Sequence, residues 1–298
     1  MADGAAGASP PGSVAVADVE PPASRPRRRR ALLVASGVLA VLVLVAVLAV
    51  RFVDSPSTLL RSEDFDGAAG SRPDPGRWSI DIGGGGWGNE ELQRYTDSPD
   101  NVQLDGDGHL AITALPDTSG ASCWYGPCRY TSARITTLGH YDVRYGRLEA
   151  SMKLVSGQGI WPAFWTAGSN IEQVGWPAAG EIDVMEHLGS EPYRVHGALH
   201  GPDYDTLSDF DLPGGEAVAD DFHTYAVEWT PDSISWLVDG HRYHVEQLGD
   251  RGQPGKAFGL PHYLLLNLAV GGRWPGAPDP ALTFPRTMLV DWVRVSAL

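Results

Sequence analysis

Cysteine is nearly absent. The 298 residues contain two, Cys123 and Cys128, both in ASCWYGPCRY. A zinc site needs more ligands than that stretch offers. Outside the cytoplasm a local disulfide between them is expected, and it would close only a small loop. Its contribution should fall below the ~3 kcal/mol estimated for a loop of about 15 residues, so its job is to shape the loop. Basic residues are also few: 22 Lys and Arg stand against 37 Asp and Glu, for a net charge of -15. Such a surface repels nucleic acid and sulfated polyanions and favours a neutral ligand. There is no internal repeat and no H-E-x-x-H motif. His196, His200, His241 and His244 therefore read as hydrogen-bonded structure or ligand contacts rather than zinc ligands. After residue 51 no stretch carries a long helical period.

What is present begins with a segregated N-terminus. Residues 1–30 carry five Arg, four of them in RRRR, against three acids, so this piece is +2 and the remainder -17. Its Ala-, Gly-, Pro- and Ser-rich composition predicts a disordered basic tail. Residues 31–50, ALLVASGVLAVLVLVAVLAV, hold no charge over about the length that spans a bilayer as a helix. The Arg cluster before it should stay in the cytoplasm, which makes 31–50 a single-pass transmembrane signal-anchor at the plasma membrane and puts the rest outside. A cleaved signal peptide, releasing a secreted enzyme, is the competing reading. Residues 51–60 read as a stem, and residues 61–298 as one extracellular domain.

That domain is written in strands. In RLEASMKL, Leu148, Ala150, Met152 and Leu154 alternate with polar residues. TYAVEW and SISWLV, joined by TPD, predict a hairpin, and Asp239-Gly240 marks a second turn before HRYHV. PHYLLLNLAV and TMLVDWVRV are further strands. With Gly (36) and Pro (23) spread throughout, the pattern predicts an all-β protein, a two-sheet sandwich of jelly-roll size.

Chemistry concentrates in GEIDVMEH, residues 180–187. Glu181 and Asp183 share a strand face, whereas Glu186 is one residue out of phase. One β-bulge restores the phase, with Ile182 and Val184 facing the core and Met185 the extra residue. Three adjacent carboxyls repel one another. They are either ordinary solvated acids or a glycosidase pair, one ionised and one kept protonated by a charged neighbour. Trp161 and Trp165 in GIWPAFWTAG, the mixture WGNEELQRYT, and Trp274 presented by NLAVGGRWPG supply flat rings and polar groups suited to sugars.

Together GEIDVMEH, GIWPAFW, WGNEELQRYT and NLAVGGRWPG resemble the signature segments of glycoside hydrolase family 16, laminarinase-like branch, over residues ~61–298. The resemblance implies a concanavalin A-like jelly-roll β-sandwich with a concave substrate cleft, and retaining cleavage of internal β-1,3-glucan bonds. Glu181 resembles the nucleophile, Glu186 the general acid/base and Asp183 the assisting residue. Trp161, Trp165 and Trp176 resemble sugar platforms. Asn89, Arg134, His200 and Trp274 resemble other substrate contacts. No cofactor is required for such chemistry. A structural Ca²⁺, with Asp64 and Asp291 near its site, is a feature of many relatives. The expected partners are a β-glucan and, through the N-terminal helix, the membrane; no nucleic acid is expected, and the protein is expected to be a monomer. The same motifs leave two alternatives open, a β-glucan transglycosylase and a non-catalytic β-glucan-binding protein. A sulfated galactan substrate is disfavoured by the acidic charge.

Overall fold

A computed structural model describes residues 58–298. The tail 1–30, the apolar segment 31–50 and most of the stem lie outside the described residues. Among the described residues no helix is long and apolar enough to cross a membrane.

Two antiparallel-dominated sheets face each other across one core. The first has seven strands in the order Tyr204–Asp211, Arg194–Gly201, Glu181–Glu186, Ile160–Gly168, His262–Val270, Arg134–Thr136 and Ser79–Ile80. The second has ten. Its path runs His241–Gln247, Ser233–Val238, His223–Trp229, Gly146–Lys153, Arg286–Ser296, Leu110–Pro116, Tyr130–Ser132 and Gln93–Tyr95; Leu59–Glu63 and Val102–Leu104 pair onto its sides. Non-sequential neighbours in both sheets give the jelly-roll-like architecture. Among the described residues, regular α-helix is confined to one turn, Ile171–Val174.

Periodicity explains the layering. Leu148, Ala150, Met152 and Leu154 are all buried on the inner face of the larger sheet. The predicted hairpin pairs Trp229 with Ile234, and Asp239 and Gly240 form its successor turn with φ of 50° and 74°, the left-handed pair that a tight two-residue connection requires. His262–Val270 is buried on both faces because it lies centrally in the seven-stranded sheet. Its inner residues Leu264, Leu266, Leu268 and Val270 join the core, and its outer residues lie under a cleft. Each such Leu contributes about 1.5–3 kcal/mol by leaving water.

Candidate active site

The outer face of the seven-stranded sheet carries a cleft of about 610 Å³. Its floor comes from six adjacent strands, so it crosses the strands. Glu181, Asp183 and Glu186 all line it. The phase problem is solved by a bulge. Against Arg194–Gly201, Asp183 pairs with Ala198 and Glu186 with His196, so three steps on one strand match two on the other. The pattern assigned Met185 as the extra residue, and here the structure differs. Met185 pairs with Phe164 and Asp183 with Trp165, so Val184 is passed over. Ile182, Val184 and Met185 are all buried in the core. Both apolar residues of the bulge go inward, and the three acids are left on one face.

Indole N–H groups fix two of the carboxyls. Trp161 Nε1 donates to Glu186 Oε1 at 3.1 Å, and Trp176 Nε1 donates to Glu181 Oε2 at 3.1 Å. From the core side, Trp236 Nε1 donates to the Asp183 carbonyl at 2.8 Å. His200 Nε2 lies 3.3 Å from Asp183 Oδ2 and 4.0 Å from Glu181 Oε1, while its Nδ1 is 2.8 Å from the exposed Asp205 carboxylate. Trp161 is only 9% exposed. Its contact with Glu186 and its edge-on packing against Trp274, with ring centroids 5.5 Å apart, make it a support for the acid rather than an open platform. Trp176, 61% exposed, presents an open ring that meets only His200, with centroids 5.9 Å apart, among the ring contacts of the described residues.

Burial dominates the electrostatics. Glu181 is pushed up to about 8, first by burial and then by the Asp183 charge; His200, the Trp176 N–H and Arg134 oppose the shift. Glu186 is raised well above its ordinary value by burial, then by the charges of Asp183 and Glu181, with His200 and the Trp161 N–H opposing. Asp183 is raised by burial and then by Asp205. Of the three, Glu181 has the most neighbours favouring its ionised form: His200, the Trp176 N–H and Arg134. Burial and mutual repulsion therefore favour keeping a proton on this cluster, and glycosidic bond cleavage uses one protonated carboxyl beside an ionised one.

The opposite wall is built on cation–π stacking. The Arg134 guanidinium carbon lies 4.7 Å from the Trp87 ring centroid and 5.0 Å from that of Trp165, and Arg134 Nε is 2.8 Å from Asp81. Trp165 Nε1 donates to Asn267 Oδ1 at 2.7 Å. All ten residues singled out for chemistry or substrate contact, Asn89, Arg134, Trp161, Trp165, Trp176, His200 and Trp274 with the three acids, line this one cleft. Trp87, Glu91, Tyr95 and Asn267, which sequence reasoning flagged only as parts of WGNEELQRYT and NLAVGGRWPG, also line it, as do Asp205 and Leu207, which it missed. Glu91 is the most consequential. This buried carboxyl, raised by burial, takes hydrogen bonds from Asn89, Gln93 and Tyr95. Asn267 Nδ2 donates in turn to the Tyr95 hydroxyl. The available signal was the alternation of Asn89, Glu91, Gln93 and Tyr95, which puts four polar-tipped side chains on one face.

Among the described residues neither expected calcium ligand, Asp64 or Asp291, belongs to a group of three side chains with metal-ligand spacing. Asp64 accepts from Ser62 at 3.1 Å and has Arg294 3.4 Å from Oδ1, a cation already beside the carboxylate. Asp291 accepts from Ser151 at 3.2 Å. This donor set does not fit calcium. Among the described residues the one group of three side chains with metal-ligand spacing is Glu181, Asp183 and His200, which belongs to the cleft. Cys123 and Cys128 are joined, with Cα atoms 5.0 Å apart.

Comparison with known proteins agrees with this geometry. The sequence profile of glycosyl hydrolases family 16 matches residues 89–294. A beta-glucanase of Rhodothermus marinus is 41% identical over 253 residues, covering 80% of this chain and 84% of that protein. A glucan endo-1,3-beta-glucosidase of Cryptopygus antarcticus is 37% identical over 222 residues, covering 69% and 79%. The crystal structure of the laminarinase catalytic domain from Thermotoga maritima superposes with a TM-score of 0.74 at 41% identity, covering 81% of this chain and 98% of that one.

Proposed function

This chain belongs to glycosyl hydrolases family 16 and is a glycoside hydrolase, and from that premise we propose that it is a retaining endo-β-1,3-glucanase. The observation that carries the reading is the bulged strand, which turns Glu181, Asp183 and Glu186 onto one face in an indole-lined cleft. Glu181, in its ionised form, attacks the anomeric carbon. Glu186, held protonated and aimed by Trp161, gives its proton to the leaving oxygen as the glycosidic bond breaks. A glycosyl-enzyme ester forms on Glu181. Glu186, now ionised, takes a proton from water as that water attacks the same carbon, which frees Glu181. Asp183, between the two, raises the pKa of Glu186 through its charge.

The beta-1,3-glucan linkage is supported by the endo-1,3-beta-glucosidase and laminarinase relatives. A cleft that crosses six strands suits an internal segment of a polymer. The test is the full chain in detergent with laminarin, followed by proton NMR. First-formed ends in the β configuration support retention. First-formed α ends, or no release while mixed-linkage glucan is cut, would overturn the linkage or the mechanism. Transglycosylation would show in the same spectra as products longer than the substrate.

The basic cluster followed by twenty uncharged residues supports an uncleaved anchor with the enzyme outside the plasma membrane. Protease treatment of intact cells tests it. Loss of the domain with retention in the membrane fraction agrees; recovery in the medium means the segment is removed.

A further inference from the structure

The hairpin around Cys123 and Cys128 is fitted to one end of the cleft. The cleft runs from Asp205 and Leu207 on one edge strand, across the acids, to Arg134 and then to the segment Trp87–Glu91. That segment is clamped from behind. The Trp124 backbone N–H donates to the Gly84 carbonyl at 2.9 Å, Trp124 Nε1 donates to the Glu91 carbonyl at 2.8 Å, and the Tyr125 hydroxyl donates to the Leu92 carbonyl at 2.6 Å. The glycine run 83–86 makes room for this contact. A Cβ on Gly84 would lie 2.5 Å from Cys123 Sγ, and one on Gly86 would lie 2.9 Å from Trp124 Cδ1 and Nε1. The hairpin and the glycine loop are therefore shaped to each other.

Bracing alone does not account for Trp124. Its pyrrole edge is used up against Gly86 and the Glu91 carbonyl, and Tyr125 meets it edge-on with centroids 5.4 Å apart. Yet the residue remains 49% exposed. Among the described residues no cation stacks on it, in contrast to Trp87, Trp165 and Trp292. A large ring is thus held in a fixed orientation with its remaining surface open. Fixing it in advance removes the ordering cost of binding. An indole presented this way suits the apolar C–H face of a pyranose ring, and a neutral sugar is the ligand that a surface of this acidity accepts.

We propose that Trp124 is an outer saccharide-binding platform, receiving the part of a β-glucan chain that extends beyond the cleft past Trp87. The proposal rests on the β-glucan reading of the cleft. It makes the clip a device for holding long chains, separate from bond cleavage.

The test uses the full chain in detergent with β-1,3-gluco-oligosaccharides from trisaccharide length upward. Both turnover and affinity are measured, the latter by calorimetry. W124A should raise KM and Kd for long oligosaccharides about three- to tenfold, as the loss of one ring contact implies. It should leave kcat and the trisaccharide unchanged. W124F keeps a ring but loses the N–H tie, and it should retain most of the long-chain affinity. If W124F is as impaired as W124A, and both weaken the trisaccharide, Trp124 is only a brace and the proposal fails. Identical constants for W124A and the parent at every length also overturn it. Binding without turnover by the parent would sink the hydrolase mechanism while leaving the platform measurable through Kd. No binding of any length by the parent would sink both.

Discussion

Replacing Glu181 with Gln should make the protein more stable above about pH 4.5, with the full gain reached only at alkaline pH. The carboxyl has an ordinary value of 4.5 and is pushed up to about 8 in the fold. Between those values the folded protein holds a proton that the unfolded chain has released. Stability therefore falls as pH rises through this window, and the loss is complete above the folded value. The full difference, at ~1.36 kcal/mol per unit, is about 5 kcal/mol. The Glu181 side chain is 16% exposed, and its burden is partly electrostatic repulsion that neighbours relieve by holding protons, so about 3–5 kcal/mol is the expected range. Gln is isosteric with the protonated acid and can still accept from Trp176. E181Q should match the parent near pH 4. At pH 9 it should melt roughly 6–20 °C higher, at about 2–4 °C per kcal/mol for a domain of this size. Thermal melts of both proteins across that range decide it. A melting difference that stays flat with pH, or that favours the parent at pH 9, would refute the view that burial and Asp183 hold Glu181 under strain. The variant should also show no laminarin cleavage, so the stabilisation would mark the cost the fold bears for its reactive carboxyl.

Other substitutions separate the walls of the cleft. W161F removes the N–H that favours ionised Glu186, so the Glu186 value moves further up; the alkaline limb of kcat/KM should shift to higher pH while kcat falls several-fold. R134K keeps the charge but loses the flat guanidinium stacked between Trp87 and Trp165, and a rise in KM of roughly 5–30-fold, worth about 1–2 kcal/mol, is expected with little change in kcat. N267A breaks the link from Glu91 through Tyr95 to Trp165, leaving the Trp165 N–H without its acceptor and removing the bond the Tyr95 hydroxyl accepts, though that hydroxyl still donates to Glu91; the melting temperature should drop by roughly 2–8 °C for about 1–2 kcal/mol, read by calorimetry.

The sheets were legible because their residues obey a simple period. Leu148, Ala150, Met152 and Leu154 alternate, and the turn at Asp239-Gly240 needs residues that tolerate positive φ. The central strand His262–Val270 reads less clearly, since a strand buried on both faces loses its alternation. The short pairings Ser79–Ile80 and Ser122–Cys123 lie below any period. They exist because the loops around them are held by contacts far away in sequence, such as Trp124 against Glu91.

The acids show where local pattern stops being enough. A strict period of two would send Glu186 into the core with Ile182 and Val184, at the cost of burying a lone carboxyl among Leu and Phe. Inserting one residue avoids that and places Glu186 on the cleft face beside Asp183, where burial first, and then the charges of Asp183 and Glu181, raise its pKa. The sequence contains the conflict, three acids spaced two and three apart, and the bulge is its cheapest resolution. What the sequence does not contain is the identity of the passed-over residue. Val184 and Met185 are both apolar and both end buried, and only pairing with Phe164 and Trp165 across the ladder selects Val184. Glu91 escapes for a related reason. In an exposed stretch it would be a solvated acid next to Glu90. Its surroundings come from Tyr95, Gln93 and Asn89 nearby in sequence and from Arg134 on a separate strand, and that last neighbour is brought in only by the folded sheets. A carboxyl becomes functional through what surrounds it, and the residues most hidden from a sequence reading are those whose surroundings come from other strands.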